Sequence, residues 1–217
     1  MIHLNQVGYG ADMPKKAVIT GKGENCFVVS ADNGMVFEPS ITEPCFDSAS
    51  EDTVRIVDFT EVKKPGQYFL FADGLKKTFY INERPYRALT GALVKGMYYQ
   101  RCGCALDEKH AGVFQHKICH TGKATLIDDK SVVMDVSGGW HDAGDYGRYI
   151  VPAAVTVGHL LYAYELFPKA FGDELNIPES GNGIPDILNE CRYELEWMMK
   201  MQRQAGIKTG VRLMLYR

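Results

Sequence analysis

Asn82-Glu83-Arg84-Pro85 is the point in this 217-residue sequence where the hydrophobic period changes. Before it, apolar and polar residues alternate in short runs, which is the period of β-strands. After it, apolar residues recur about every 3.6 positions, which is the period of α-helices. We therefore predict two domains, a β-domain at 1–83 and an all-α domain at 84–217. The chain is long enough for both, since domains commonly hold about 100 to 200 residues.

Five alternating runs precede this boundary, and turn signals separate them. They cover 16–20, 26–30, 54–59, 67–72 and 77–81. The turns read Asp32-Asn33-Gly34, Pro65-Gly66 and Asp73-Gly74, and Asn, Asp and Gly accept the backbone angles that tight turns require. Short strands at this spacing are typical of a sandwich of two sheets. We predict an immunoglobulin-like β-sandwich for 1–83.

Three helical patterns follow the boundary, at 86–100, 151–167 and 184–202. The third has Pro185 at its start, where the missing N–H is harmless. A connection of almost fifty residues, 101–149, separates the first two helices. Connections usually hold about 4 to 6 residues, and much longer ones are functional or disordered. This one is rich in His and Cys and contains a Trp, so we expect it to carry the chemistry.

Composition excludes several function classes. The net charge of -3 leaves no basic surface for phosphate, so we expect no nucleic-acid partner. No apolar run approaches the roughly 20 residues that a membrane helix needs. The first residues show no signal-peptide pattern, which leaves localisation undecided. We expect a monomer.

Two carboxylates stand three residues apart in Gly138-Gly139-Trp140-His141-Asp142-Ala143-Gly144-Asp145-Tyr146-Gly147-Arg148-Tyr149. Small residues between them let the backbone turn tightly and approach a ligand. Paired carboxylates can hold one water, and an ionised one can take a proton from it during attack. Inverting glycoside hydrolysis needs such a base, with a carboxylic acid on the opposite face of the sugar. A calcium loop or a pair of turn caps is the structural alternative.

The stretch 139–145 resembles the signature loop of glycoside hydrolase family 9 endoglucanases. Three further segments are similar to one branch of that family, namely 4–9 (LNQVGY, its first immunoglobulin-like strand), 98–103 (YYQRCG) and 176–186 (NIPESGNGIPD). The resemblance implies that the helical domain is the N-terminal part of an (α/α)6 barrel. It further implies an inverting endo-β-1,4-glucanase acting on cellulose or related β-glucan.

The resemblance also assigns roles to residues. Asp145 matches the general base, and Asp142 matches the companion that helps to hold the water. Trp140, Tyr146 and Tyr149 are candidate contacts to the sugar, with packing in the core as the alternative for each.

Cys102, Cys119, His120 and His141 form a Cys2His2 set, which is common in structural zinc sites. Their spacing does not match a zinc finger, so buried thiols and hydrogen-bonded histidines are the alternative. The resemblance implies a structural zinc on these four residues, with Cys104 a bystander and His110 and His116 on the surface.

Calcium is a second candidate metal, because one Gly/Pro-rich stretch is rich in oxygen ligands. These are Asp173, Glu174, Asn176, Glu179, Asn182 and Asp186. The alternative is a turn that leads into the third helix, with Asp186 in its first turn.

The family's general acid is a Glu near the end of a longer helical domain, so the resemblance implies a chain truncated in its catalytic domain and without that acid. Glu190, Glu194 and Glu196 do not match the acid, and we expect them to be solvated. The tail after Gln202 departs from the family pattern. We expect the 217-residue chain alone to have little activity. Two other readings stay open, an exo-acting glycosidase on cello- or glucosamine oligosaccharides, and a non-catalytic carbohydrate-binding fragment.

Overall fold

The computed structural model describes residues 1–204. The chain divides into two compact units, Met1–Leu89 and Thr90–Arg217. The division falls inside the first helix, a few residues beyond the predicted boundary at 83/84, which stays a prediction. No helix among the described residues is long and apolar enough to cross a membrane.

The first unit is a sandwich of two β-sheets. Its strands are β1 (Ile2–His3), β2 (Tyr9–Gly10), β3 (Lys16–Thr20), β4 (Phe27–Ser30), β5 (Val36–Phe37), β6 (Ser40–Ile41), β7 (Cys45–Asp47), β8 (Asp52–Asp58), β9 (Gly66–Ala72) and β10 (Leu75–Asn82). One sheet has the order β1-β3-β8-β6, with β7 also on β8, and the other has the order β2-β10-β9-β4-β5. The pairing is antiparallel except between β2 and β10. All five strands predicted from alternation are present, and the missed ones hold only two or three residues.

Aromatic and aliphatic side chains from both sheets fill the core of this sandwich. Val28, Val57 and Leu70 are fully buried, and Phe79 packs against the rings of Tyr9, Phe59 and Tyr68. The alternating pattern therefore places its apolar side inward, as a sandwich requires.

Residues 4–9 do not form the single strand that the resemblance implied. β1 pairs with β3 in one sheet, whereas β2 pairs with β10 in the other, and a turn lies between them. Gly8 enables the turn, because its φ is 99° and a Cβ there would lie 2.8 Å from the carbonyl oxygen of Tyr80. The prediction was wrong because the chain changes sheet within this motif.

The second unit is mainly helical. Its elements are α1 (Arg87–Tyr99), α2 (Glu108–Ala111), β11 (Lys123–Thr125), β12 (Val133–Asp135), α3 (Ile150–Leu166) and α4 (Asp186–Gln204), with 3-10 turns at Gly112–Phe114 and Pro168–Ala170. The three predicted helices are confirmed to within two residues at each end. α3 packs against α4. The unusual tail predicted after Gln202 lies outside the described residues from 205 onward.

A candidate catalytic loop and metal centre

The segment 136–149, here called the catalytic loop, connects β12 to α3 and begins as a buried strip of backbone. The amide of Cys102 donates to the carbonyl of Gly139 at 2.7 Å, and the amide of His141 donates to the carbonyl of Gln100 at 2.8 Å. These bonds form an antiparallel bridge between Arg101 and Trp140. The end of α1 therefore fixes the stretch that leads into His141.

Two glycines allow this strip to lie directly on α4. Gly138 and Gly139 have φ values of 100° and 74°, a region that residues other than glycine rarely adopt. A Cβ on Gly139 would lie 2.6 Å from Cδ2 of Trp197. Trp197 also donates its indole N–H to the carbonyl of Val136 at 3.2 Å. Glycine is therefore required at position 139 by both backbone conformation and space.

The four predicted metal ligands lie together. One donor atom from each of Cys102, Cys119, His120 and His141 lies within 4.8 Å of the others. Nε2 of His141 is 3.3 Å from Nδ1 of His120 and 3.9 Å from Sγ of Cys119. Metal–ligand bonds of about 2.0 Å to nitrogen and 2.3 Å to sulfur place the donors of a tetrahedral zinc site about 3.3–3.8 Å apart. The donor set therefore fits zinc if the donor atoms move slightly closer together.

Burial shifts the pKa values of two residues of this cluster, His141 and Cys102. His141 is 8% exposed, and burial, followed by the charges of His120 and Arg148, lowers its pKa to about 4. Its imidazole is therefore neutral at pH 7, as a metal ligand must be. Burial raises the pKa of the Cys102 thiol to about 11, so thiolate formation there requires a cation beside the sulfur.

Cys104, His110 and His116 lie outside the cluster. Nδ1 of His110 lies 3.1 Å from the carbonyl oxygen of Asn176, and Nδ1 of His116 lies 2.7 Å from that of Lys117. Among residues 1–204, the Cys/His set is the one group of three or more Cys, His, Asp or Glu residues whose donor atoms lie close enough to share an ion.

Asp145 is held by both of its carboxylate oxygens. The amide of Gly147 donates to Oδ1 at 2.8 Å, and the hydroxyl of Tyr149 donates to Oδ2 at 2.8 Å. The amide of Asp142 donates to the carbonyl of Gly147 at 2.8 Å, which closes the turn that carries both carboxylates. Asp145 also faces an open pocket of about 640 Å³ and is the one carboxylate in its wall within residues 1–204.

The three aromatic residues predicted to contact sugar occupy different places. Trp140 is 4% exposed and packs in a cluster with Val157 and Cys191, which favours the core alternative for it. The ring of Tyr146 lies 5.2 Å from that of His141, measured between centroids, and 53% of the residue is exposed. Tyr146 and Tyr149 line the pocket of Asp145. Their contact to sugar stays a prediction.

Glu190 and Glu194 are fully buried, so the prediction that they are solvated was wrong. Glu190 pairs with Arg101 at 2.9 Å, and Arg101 also binds Glu179 at 2.9 Å. Glu194 accepts from the amide of Trp140 at 2.6 Å, and burial raises its pKa to about 7. Glu196 is exposed, as expected.

A signal for this burial was present in the sequence. Ile187, Glu190, Cys191 and Glu194 follow the spacing of one helical face. The two carboxylates therefore stand where the buried stripe of α4 predicts apolar residues.

The oxygen-rich stretch considered for calcium uses several of its oxygens internally. Oδ2 of Asp186 accepts from the amide of Leu175 and the hydroxyl of Ser180. Oδ2 of Asp173 accepts from the amide of Gly183 at 3.2 Å, and Glu179 binds Arg101. These contacts favour the structural alternative, a turn that leads into α4, which begins at Asp186.

Comparison with known proteins gives the family of this chain. The profile of Glycosyl hydrolase family 9 matches residues 86–213, and that of the Cellulase N-terminal ig-like domain matches residues 1–77. The first match covers more than half of the sequence, so the chain belongs to glycosyl hydrolase family 9. The family resemblance and the fold class, an immunoglobulin-like sandwich followed by the N-terminal part of an (α/α)6 barrel, are thereby confirmed.

Individual relatives are much longer than this chain. It is 38% identical to the cellodextrinase of Butyrivibrio fibrisolvens, over 94% of this chain and 38% of that protein. It is 36% identical to endoglucanase D of Acetivibrio thermocellus, over 94% of this chain and 34% of that protein. The crystal structure of a Zn-binding triple mutant of the family 9 endoglucanase J30 matches with a TM-score of 0.80 and 35% identity, over 89% of this chain and 39% of that one. The chain therefore spans little more than a third of the length of these proteins.

Proposed function

We propose that this chain is the base-carrying part of an inverting endo-β-1,4-glucanase. Asp145 is the general base. Asp142 lies on the same turn but is not among the residues that line the pocket, and we propose that it helps to hold the attacking water from there. The anchoring of Asp145 carries the proposal, because Gly147 and Tyr149 each donate to a different oxygen at the wall of an open pocket. An ionised carboxylate that is held in this way can take a proton from an attacking water.

The reaction follows from this arrangement. The water oxygen bonds to the anomeric carbon, Asp145 takes the proton of that water, and the bond from the anomeric carbon to the leaving oxygen breaks. The leaving oxygen must receive a proton from a carboxylic acid on the other face of the sugar. No second carboxylate lines the described wall of the pocket, so we assign the acid to a part of the protein outside residues 1–204.

Cys102, Cys119, His120 and His141 would hold a structural zinc. When bound, zinc would cross-link the catalytic loop to the end of α1 and to the segment at 119–120, and so stabilise the fold. His141 directly precedes Asp142, so the ligand set fixes the backbone from which the carboxylates project. One structural relative, the triple mutant of endoglucanase J30, is a Zn-binding form, which supports the same metal here.

The substrate class is taken to be a β-1,4-glucan, because relatives bear the names endoglucanase and cellodextrinase. Tyr146 and Tyr149 are proposed to contact the sugar from the pocket wall. The name cellodextrinase favours a second candidate, exo-type action on short oligosaccharides. Chromatography of the earliest products separates the two, since endo action on a polymer yields mixed lengths and exo action yields one short product.

Substitution of Asp145 tests the base directly in the full protein that carries this sequence. We expect Asp145→Asn to lower kcat on carboxymethylcellulose by about a hundredfold or more, with KM little changed, because the water loses its proton acceptor. In Asp145→Ala, azide needs no deprotonation to attack. Azide should therefore restore turnover and give a glycosyl azide of inverted configuration.

Asp128→Asn is the matched control, because Asp128 is an exposed carboxylate on the same long connection. It should keep the kcat of the unsubstituted protein. Unchanged turnover in Asp145→Asn, or a glycosyl azide of retained configuration, contradicts the proposal.

A further inference from the structure

One side of α4 holds the buried start of the catalytic loop through the polar groups of three residues. Lys200 donates to the carbonyl of Ser137 at 2.8 Å, and the indole of Trp197 donates to that of Val136 at 3.2 Å. Glu194 accepts from the amide of Trp140 at 2.6 Å. These residues recur every three positions, so they form one helical row along the loop.

Glu194 is the unusual member of this row. It is fully buried, and its second oxygen, Oε1, has no hydrogen-bond partner among the described residues. Taking a carboxylate out of water is costly unless it is paired and hydrogen-bonded. An apolar residue at this position on the buried face of α4 would avoid that cost, and the contact that it could not make is the one with the Trp140 amide.

That contact controls the direction of the chain just before the carboxylate pair. The residues on either side of Trp140 use their polar groups elsewhere, since the Gly139 carbonyl accepts from Cys102 and the His141 amide donates to Gln100. The acceptor that the structure shows for the Trp140 amide is Glu194. Loss of that acceptor leaves a buried N–H unpaired, which favours rotation of the peptide and displacement of Asp142.

We propose that Glu194 is a positioning residue for hydrolysis, acting through the Trp140 amide to hold the carboxylate-bearing turn at 142–147 in its working place. This rests on the proposed function of Asp145. A substitution far from the reacting atoms that misplaces a catalytic group by about 1 Å can cost about a hundredfold in rate. Glu194 touches neither substrate nor water in this role, so its loss affects the chemical step more than binding.

Three variants on α4 test the proposal in the full protein. Glu194→Met keeps the size of the side chain but removes the acceptor, and should lower kcat by about tenfold to a hundredfold with KM within about twofold. Glu194→Gln retains an amide oxygen that can accept from Trp140, and should keep most of the activity. Glu196→Met is the matched control, since Glu196 is exposed two residues along, and should behave as the unsubstituted protein.

Hydrogen–deuterium exchange gives a readout that does not depend on activity. The peptide spanning 136–141 should exchange faster in Glu194→Met, and at the original rate in Glu194→Gln and Glu196→Met. If Glu194→Met does not fold, Glu194→Asp replaces it, because it withdraws the carboxylate by one methylene and should lower kcat without raising KM.

The outcomes separate the two proposals. The positioning role is overturned if Glu194→Met has a normal kcat, or if Glu194→Gln and Glu194→Met lose equal amounts of activity. Either result leaves the base assignment intact, provided that Asp145→Asn still loses about a hundredfold in kcat. Loss of thermal stability alone, with unchanged kcat and KM, shows a purely structural residue and also overturns it. Full activity in Asp145→Asn would instead contradict the assignment of Asp145 as the base. The positioning role of Glu194, which rests on that assignment, would then fail with it.

Discussion

Residues 136–141 and residues 142–149 are continuous in the catalytic loop, yet they are held in different ways. In the first half, Val136, Trp140 and His141 are buried, and contacts come from the segment 100–102 directly after α1 and from α4. In the second half, 142–146 is exposed, and the hydrogen bonds that Gly147 and Tyr149 make to the carboxylate-bearing turn lie within the loop itself.

The difference shows how one short segment can serve two requirements. A base has to be reachable by water and substrate, so it cannot be buried in a packed core, but it must also be held in a fixed place. Here the buried half is fixed by packing and carries His141, a proposed metal ligand, and the exposed half begins directly at its end. Substitutions in the two halves should therefore have effects of very different size.

Loss of the proposed zinc site should have the largest effect on the buried half. We expect Cys102→Ser to abolish zinc binding and to lower the free energy of unfolding of the helical unit by several kcal/mol, because the binding free energy of structural zinc, about 10 kcal/mol or more in small domains, contributes to folding. Metal analysis of the purified protein and thermal unfolding with and without a chelator measure both effects.

Cys104→Ser is the control, because this neighbouring thiol lies outside the ligand cluster. It should retain one zinc per chain and respond to the chelator as the unsubstituted protein does. Retention of zinc by Cys102→Ser together with its loss from Cys104→Ser would show that the ligand set is wrong.

A pair of glycine substitutions compares the two halves directly. Gly139→Ala places a Cβ 2.6 Å from Trp197 at a φ of 74°, and should cost about 2–4 kcal/mol from overpacking and backbone strain. Gly144→Ala meets nothing within 4 Å, and should change stability by less than about 0.5 kcal/mol. Urea unfolding of both variants measures the contrast, and equal losses would mean that the halves are held alike.

Much of this arrangement could be predicted from sequence because it depends on local sequence patterns. Alternation located the long strands, the 3.6-residue period located α1, α3 and α4, and the family motifs selected the four Cys/His residues whose donor atoms lie together. The change of sheet inside 4–9 could not be predicted, because it depends on the position of the Tyr80 carbonyl against Gly8.

The contact between Glu194 and the Trp140 amide could not be predicted for a different reason. Charged residues are almost never fully buried unless they are paired, and the partner of Glu194 is a backbone amide 54 positions away. No side-chain pattern indicates such a partner. The ring of Tyr146 against His141 is likewise set by the positive φ of Tyr146, 55°, which no local pattern predicts.

The smallest expected effect lies at the entrance to the buried half, where Lys200 and Asp135 form an ion pair at 2.8 Å. The hydrogen bond from Lys200, together with those from Ser137, holds the pKa of Asp135 well below its usual range. A depressed pKa stabilises the fold above the unfolded value, about pH 4, and that contribution is lost as the pH falls below it. Both side chains are partly exposed, so the pair should contribute about 0.5 kcal/mol.

Lys200→Met should therefore lower the free energy of unfolding at pH 7, and the pH-dependent part of the difference should shrink progressively as the pH falls below about 4, towards the lower pKa of Asp135 in the folded protein. The hydrogen bond of Lys200 to the Ser137 carbonyl does not titrate with Asp135, so its loss should leave a constant remainder. Lys130→Met, at an exposed lysine of the same long connection, is the control and should show neither part. A difference between Lys200→Met and the unsubstituted protein that is equal at pH 7 and about pH 3 would assign the whole effect to the carbonyl contact and none to the ion pair.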